Sequence, residues 1–277
     1  MQPKKADIII DAMRALAEDI GTGDVTAALL PADLYVKARI ISREPMLVCG
    51  QPWVNCVFSE IDPTIEIDWL VEEGTWLNEP AVLCSIRGLA SNILTAERTA
   101  LNFMQTLSGT ATQTYHYLKR LEGFSTRLLD TRKTLPGLRL AQKYAVSCAG
   151  GMNHRLGLYD AFLIKENHIK ACGSIQKAIA MARAVPGNLL VEIEVETLDE
   201  LREALKTRPD RILLDNFTLE MMVDAVAMNQ LWQCELEVSG GVSLETIAAI
   251  ADTGVDYISV GAVTKSVRAI DLSLLVE

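Results

Sequence analysis

The spacing of apolar positions changes character partway along the 277-residue chain. Residues 7–20 set Ile9, Met13, Leu16 and Ile20 at helical spacing, which predicts an opening amphipathic helix. The glycine-rich loop GTGDVT follows at 21–26. Between residues 36 and 86 the runs VKARIIS, MLVCG, IEIDWLV and AVLCSI, broken by turn residues, predict short strands. A helix is predicted from about Asn92 to Leu107. An antiparallel sheet packed on helices, an α+β unit of about 100 residues, accounts for this part of the chain.

After Gly109 strand-like runs alternate with amphipathic stretches such as IQKAIAMARAV and LETIAAIADTG. The runs are RLLD (127–130), AFLI (161–164), LLVEIEV (189–195), RILL (211–214), ELEVS (235–239) and DYISV (256–260). Such alternation predicts parallel strands joined by crossover helices, in an open doubly wound sheet or in a barrel. The polar residues favour the barrel, because nearly every run ends in groups able to do chemistry. Thr131, Arg132 and Lys133 follow the first run, and Lys165, Glu166, Asn167 and His168 follow the second. Asp215 and Asn216 follow the fourth, Ser239, Gly240 and Gly241 end the fifth, and Gly261 follows the sixth. A barrel assembles its site from many strand ends in this way, whereas an open sheet concentrates it at one switch point. Six units rather than eight predict an incomplete barrel.

Composition narrows the partners. A net charge of −10 disfavours nucleic acid, whose phosphates it would repel. Six cysteines without CxxC or metal-ligand spacing are expected as free thiols in a reducing compartment. The opening MQPKKADIIIDAMRALAEDIG carries too short an apolar run for a signal peptide. No apolar run reaches the length of about 18 residues that spans a membrane, so a cytoplasmic chain is expected.

Against this acidic background, residues 130–155 gather Arg132, Lys133, Arg139, Lys143, His154 and Arg155, with Lys165 and His168 close behind. A solvated basic face would look similar. Here, however, the cations flank strand ends and glycines 150 and 151, and Arg132 and Arg155 are suited to bidentate capture of carboxylates. The run VEIEVE is unusual for a buried parallel strand, since alternation puts Glu192, Glu194 and Glu196 on one face. In a closed barrel that face points inward, where acids need cations or a metal. With Asp215 they make a candidate Mg²⁺ site. Arg98 shares a helical stripe with Leu94 and Leu101, so it either snorkels or reaches a partner. The small-residue segments SGGV and SVGA are candidate phosphate-approach loops.

DTRKTLPGLRLAQKYAV, GGMNHRLGLYDAFLIKENHI, VEIEVE, LLDNF, EVSGGV and DYISVGA resemble the quinolinate phosphoribosyltransferases in order and spacing. EDIGTGDVT and LTAERTALNFMQTLSGTAT extend the resemblance over essentially the whole chain. It implies an amino-terminal α/β sandwich over 1–108, rejoined by 266–277, and an incomplete, TIM-like seven-stranded α/β barrel over 109–265. It implies transfer of phosphoribosyl from phosphoribosyl pyrophosphate to quinolinate with decarboxylation, and a homodimer sharing its active sites. On that pattern Arg132, His154, Arg155 and Lys165 bind quinolinate, with Thr131 beside them and Arg98 arriving from the neighbouring chain. Lys133, Glu194 and Asp215 would be catalytic, the two acids holding magnesium. Ser239, Gly240, Gly241, Val260, Gly261 and Ala262 would hold the phosphoribosyl pyrophosphate. At Lys265 many relatives carry histidine. Two other enzymes stay open at this point, a molybdate-transport-linked paralogue and a Schiff-base enzyme built on Lys133 or Lys165, as does a non-enzymatic binding barrel.

Overall fold

The structure, a computed structural model, describes residues 2–277. Its elements begin with α1 (Lys5–Ile20), β1 (Tyr35–Ser42), β2 (Met46–Leu47), α2 (Gln51–Ile61), β3 (Glu66–Trp69), β4 (Trp76–Leu77), β5 (Val82–Leu89) and α3 (Ala90–Arg120). They continue with β6 (Arg127–Leu129), α4 (Arg139–Cys148), β7 (Ala161–Ile164), α5 (Glu166–Cys172), α6 (Ile175–Ala184), β8 (Leu190–Val195) and α7 (Leu198–Thr207). Then come β9 (Arg211–Asp215), α8 (Leu219–Asn229), β10 (Glu235–Ser239), α9 (Ile247–Asp252), β11 (Tyr257–Ser259), α10 (Ala262–Lys265) and β12 (Leu272–Val276). They form two compact units. One holds the chain up to Tyr115 with Thr134–Gly150 and Val263–Glu277; the other holds His116–Lys133 and Gly151–Ala262.

The first unit is an antiparallel sheet in the order β12-β1-β5-β3, with β2 and β4 paired separately. Alternation in β1 buries Ala38, Ile40 and Ser42 on one face. Against the sheet lie Trp53, Val54, Val57 and Phe58 of α2 and Ile93, Ala96, Ala100, Met104 and Leu107 of α3. These follow helical spacing, so each helix presents one apolar stripe. The stretch 134–150, grouped with the barrel in the sequence reading, clusters here because Ala141, Tyr144 and Ala145 of α4 enter this core. Arg139 and Lys143 go with it, which divides the expected basic cluster between the two units; Lys143 is fully buried. The run MLVCG pairs only at Met46 and Leu47, because the chain then turns at Gly50 into α2.

Glu73 fixes that turn. Its Oε1 accepts from the Gly50 N–H (2.7 Å) and its Oε2 from the Gln51 N–H (3.1 Å), so a carboxylate meets the free donors at the α2 amino end. The Tyr144 hydroxyl donates to the same Oε1 at 2.9 Å.

The second unit is a parallel sheet in the order β6-β11-β10-β9-β8-β7. A parallel bridge joins Leu129 to Met152 on the outer side of β6. Met152 thus takes the place of a seventh strand as a single bridged residue. Around the sheet the order is sequential, and among the described residues no pairing joins Met152 to β7. The barrel is open at that seam. Strands β8, β9 and β10 are buried on both faces, as parallel strands between an interior and outer helices must be. Each observed strand lies within one residue of its predicted run. Ser174, Thr197 and Thr218 start α6, α7 and α8 by accepting from the backbone three residues on. Among the described residues no helix is long and apolar enough to cross a membrane.

Glu73→Ala is expected to lower unfolding free energy by about 2–4 kcal/mol, since two helix-end donors and a tyrosine hydroxyl lose one charged acceptor. Glu73→Gln should fall between. Urea unfolding of the three proteins checks the order.

Candidate active site

The mouth of the barrel is a cavity of about 400 Å³ lined by Thr131, Arg132, Lys133, His154, Arg155, Leu163, Lys165, Glu194, Leu213, Asp215, Glu237, Ser239 and Ser259. These residues come from the carboxyl ends of the strands and from the segment after Met152, as in a barrel that gathers its site from βα loops. Most of the residues singled out in the sequence therefore meet in one place.

Local structure explains how the basic side is held. Buried Asp130, at the end of β6, accepts from the His154 N–H (2.8 Å) and from Asn153 Nδ2 (2.7 Å). This ties the loop after Met152 to the loop that carries Arg132 and Lys133. Asp160 accepts from the N–H groups of Leu156 (2.6 Å) and Gly157 (2.9 Å), closing the turn behind Arg155. Burial lowers the Arg155 pKa from its ordinary value, and the neighbouring Arg132 guanidinium lowers it further. Two guanidinium groups held this close favour an anion between them.

The acidic side is built from β8 and β9. Lys165 Nζ pairs with Glu194 Oε2. Burial raises the Asp215 pKa and nearby Glu194 adds to the rise, while Lys165 and Lys133 oppose it. Glu194, Glu196 and Asp215 each offer an oxygen within 4.8 Å of the others, a hard donor set of the kind that suits Mg²⁺. Glu192 lies deeper, fully buried with Glu237 of β10. Both are pushed up to about 7, burial being the largest cause in each. Glu237 was not singled out in the sequence, although ELEVS carries the same alternating acids as VEIEVE.

The glycine segments serve close approaches. Gly240 has φ +97°, and a Cβ there would stand 2.2 Å from Asn216 Oδ1. Asn216 Nδ2 in turn donates to Asp215 Oδ2 at 2.8 Å. A Cβ on Gly261 would stand 3.0 Å from Lys133 Cδ, so this glycine makes room for the lysine stem. Gly241 has open space around it. Val260 is buried and its N–H donates to the Leu129 carbonyl at 2.9 Å, which commits that donor to the sheet. Ala262 opens α10. The Gly150 N–H, beside the basic cluster in the sequence, donates to the Ser147 carbonyl at 3.0 Å. The His168 Nδ1 accepts from the Lys165 N–H at 3.0 Å, so this ring caps α5. Arg98 belongs to the first unit, where its side chain is 57% exposed beside Glu97.

Fold and site together define a barrel enzyme whose mouth sets paired guanidinium groups against a cluster of acids. Residues 24–108 match the family quinolinate phosphoribosyl transferase, N-terminal domain, and residues 110–275 match quinolinate phosphoribosyl transferase, C-terminal domain. The chain belongs to the quinolinate phosphoribosyltransferase family. It is 42% identical over 270 residues to the nicotinate-nucleotide pyrophosphorylase [carboxylating] of Mycobacterium leprae, covering 94% of each chain. It is 39% identical over 283 residues to the mitochondrial quinolinate phosphoribosyltransferase [decarboxylating] 2 of Nicotiana glauca, covering 95% of this chain and 80% of that one. The solved nicotinate-nucleotide pyrophosphorylase of Francisella tularensis is 48% identical with a TM-score of 0.96, covering 100% of this chain and 98% of that one. The Schiff-base alternative also lacks physical support at Lys165, because a nucleophilic lysine needs a desolvated neutral amine and this one is ion-paired.

Gly240→Ala is expected to lower the unfolding temperature more than Gly241→Ala. Both incur the cost of a left-handed backbone, about 1–2 kcal/mol, but only the first displaces Asn216. Thermal unfolding of the two variants checks the difference.

Proposed function

We propose that the chain transfers phosphoribosyl from phosphoribosyl pyrophosphate to quinolinate with decarboxylation, yielding nicotinate mononucleotide, carbon dioxide and pyrophosphate in NAD biosynthesis. The observation that carries this reading is the pairing of Arg132 with Arg155 in the cavity that also holds Lys165, Glu194 and Asp215. A planar dicarboxylate needs two cationic contacts at fixed separation, and paired guanidinium groups supply them. The reading assigns the carboxylates to Arg132, Arg155 and Lys165, with Thr131 and His154 at the edge of that pocket.

The ribose and its diphosphate belong on the other side, between Lys133, Ser239, Gly240, Gly241 and the Val260–Ala262 turn. Magnesium would be held by Glu194 and Asp215, with Glu196 close by, and would supply positive charge beside the leaving pyrophosphate. In the reaction the quinolinate ring nitrogen bonds to C1 of the ribose as the C1–O bond breaks and pyrophosphate leaves with the electron pair. The ring then carries positive charge and accepts the electrons of the C2–carboxylate bond as carbon dioxide departs. A proton afterwards fills the vacated ring carbon. Lys133 stabilises developing charge on the diphosphate, and the arginines hold the ring nitrogen in line with C1. No covalent bond to the protein is needed.

A homodimer is part of the proposal, with Arg98 of one subunit completing the carboxylate pocket of the other. Its support is the exposure of Arg98 and the apolar side chains left uncovered near the open seam: Leu158 (75% exposed), Tyr159 (72%) and Met181 (60%).

Incubation with quinolinate, phosphoribosyl pyrophosphate and Mg²⁺ should release labelled carbon dioxide, and a chelator should stop it. Nicotinate should have a kcat/KM lower by at least about a hundredfold, because cations built for the missing carboxylate stay unpaired. Equal turnover of nicotinate would overturn the pocket assignment.

For the shared site, Arg98→Ala and Lys133→Ala, each inactive alone, are mixed under conditions of subunit exchange. A mixed dimer has one site with both wild-type residues, so activity should return to roughly a quarter of wild type. Absence of recovery with heterodimers present would mean that Arg98 acts within its own subunit, and would overturn the shared site.

A further inference from the structure

The turn into α2 and the carboxyl end of α4 bring together Cys49, Glu73 and Cys148, all within the first unit. The two Sγ atoms and a carboxylate oxygen of Glu73 lie within 4.8 Å of one another. Cys49 is fully buried, Cys148 is half-buried, and both are free thiols. A disulfide needs its sulfurs about 2.0 Å apart, so closing the bond takes an approach of at most about 2.8 Å, shared by two side chains.

We propose that Cys49 and Cys148 form a reversible modification site, a thiol pair that a hydroperoxide converts to an intrachain disulfide. The backbone on both sides is already fixed. The Cys49 N–H donates to Ser108 Oγ (3.0 Å), and that hydroxyl donates back to the Cys49 carbonyl (2.8 Å). On α4, Tyr144 stands one turn before Cys148, so the two side chains share a face of the helix. That face is held down by the Tyr144 hydroxyl on Glu73 (2.9 Å) and by the Tyr144 ring against Trp53, with 5.4 Å between centroids. The Cys148 thiol donates to the carbonyl of Val48, the residue before Cys49, at 3.9 Å. Neither cysteine has to change its place in the fold for the sulfurs to meet.

The half-buried thiol is the one that peroxide reaches first. The Cys148 sulfur bonds to one peroxide oxygen as the O–O bond breaks, and the thiol proton leaves with the other oxygen as water. Cys49 then attacks the sulfur of the resulting sulfenic acid, so that the S–S bond forms while the S–O bond breaks and hydroxide leaves. Glu73 takes the Cys49 proton and passes it to that hydroxide. Two thiols and one hydrogen peroxide thus give one disulfide and two waters, and a dithiol reductant restores both thiols while becoming a disulfide itself. A nearby base matters because burial holds the Cys49 pKa well above its ordinary value, with the Cys148 contact and the Glu73 charge adding to the rise. The pair therefore stays reduced until an oxidant acts on Cys148, and closing the bond keeps that sulfur from irreversible oxidation.

Thiol counting on the whole protein tests the proposal. The chain has six cysteines, and all should react with an alkylating reagent when the untreated protein is denatured. Brief treatment with hydrogen peroxide should remove the Cys49 and Cys148 thiols together, and dithiothreitol should restore both. Chymotryptic digestion of the oxidised protein should yield a Cys49 peptide linked to a Cys148 peptide. The link closes a loop of about a hundred residues in the unfolded chain, so the oxidised form should unfold about 5 °C higher. Cys148→Ser, at the half-buried position, should lose both the link and the shift. Glu73→Gln should close the link at least about tenfold more slowly; an unchanged rate would overturn the part given to the carboxylate. Survival of all six thiols, a link between two chains, or a Cys148 sulfinic acid beside a free Cys49 thiol would each overturn the proposal.

Discussion

Carboxylates placed inside a nearly closed sheet cannot reach water, and the arrangement of this barrel follows from how that charge is met. Glu192 and Glu237 have no exposed surface, and burial drives both toward holding a proton. Arg211 compensates from the lower side and His154 caps the pair above, at the edge of the mouth. Hydrophobic side chains at those positions would pack more cheaply.

Above that layer the mouth is divided by charge. Arg132 and Arg155 form one pole, while Glu194 and Asp215 form the other with Lys165 bridging toward them. The chain as a whole is acidic at −10, so its attraction for anions is local to this cavity. In the proposed reaction the carboxylates would go to the first pole and the phosphates to the second. Glycine at 240 and 261 leaves room for Asn216 and Lys133, since a methyl group at either would move one of them.

Much of this could be read from residue order, for identifiable reasons. AFLI and ELEVS coincide with β7 and β10, because parallel strands covered by helices are apolar except where they line the interior. The inward acids of β8 broke that rule visibly enough to mark the barrel. Glu237 breaks it equally, but in the five-residue run ELEVS the acids are fewer than in VEIEVE and give a weaker signal. In the first unit, Trp53, Val54, Val57 and Phe58 have helical spacing, yet they sit among strand-like runs that hid α2. Strand β12 pairs with β1 some 230 residues earlier, as in Ile41 with Ser273, a contact no local period reveals. Lys143 and Arg139 looked like site cations because sequence nearness was all there was to judge by; α4 carries them into the other unit.

The sheet order β12-β1-β5-β3 has a bearing on how the chain matures during synthesis. The first unit takes an edge strand and helix α4 from segments that leave the ribosome after most of its own residues, and β12 follows the entire barrel. Until then β1 presents an unpaired edge, which invites pairing with other nascent chains. Its polar face, with Lys37 and Arg39, places positive charge along that edge and discourages such pairing while β12 is awaited. In the finished protein the same two residues meet Glu277, so charges that keep an unfinished sheet soluble end as the clasp that closes it.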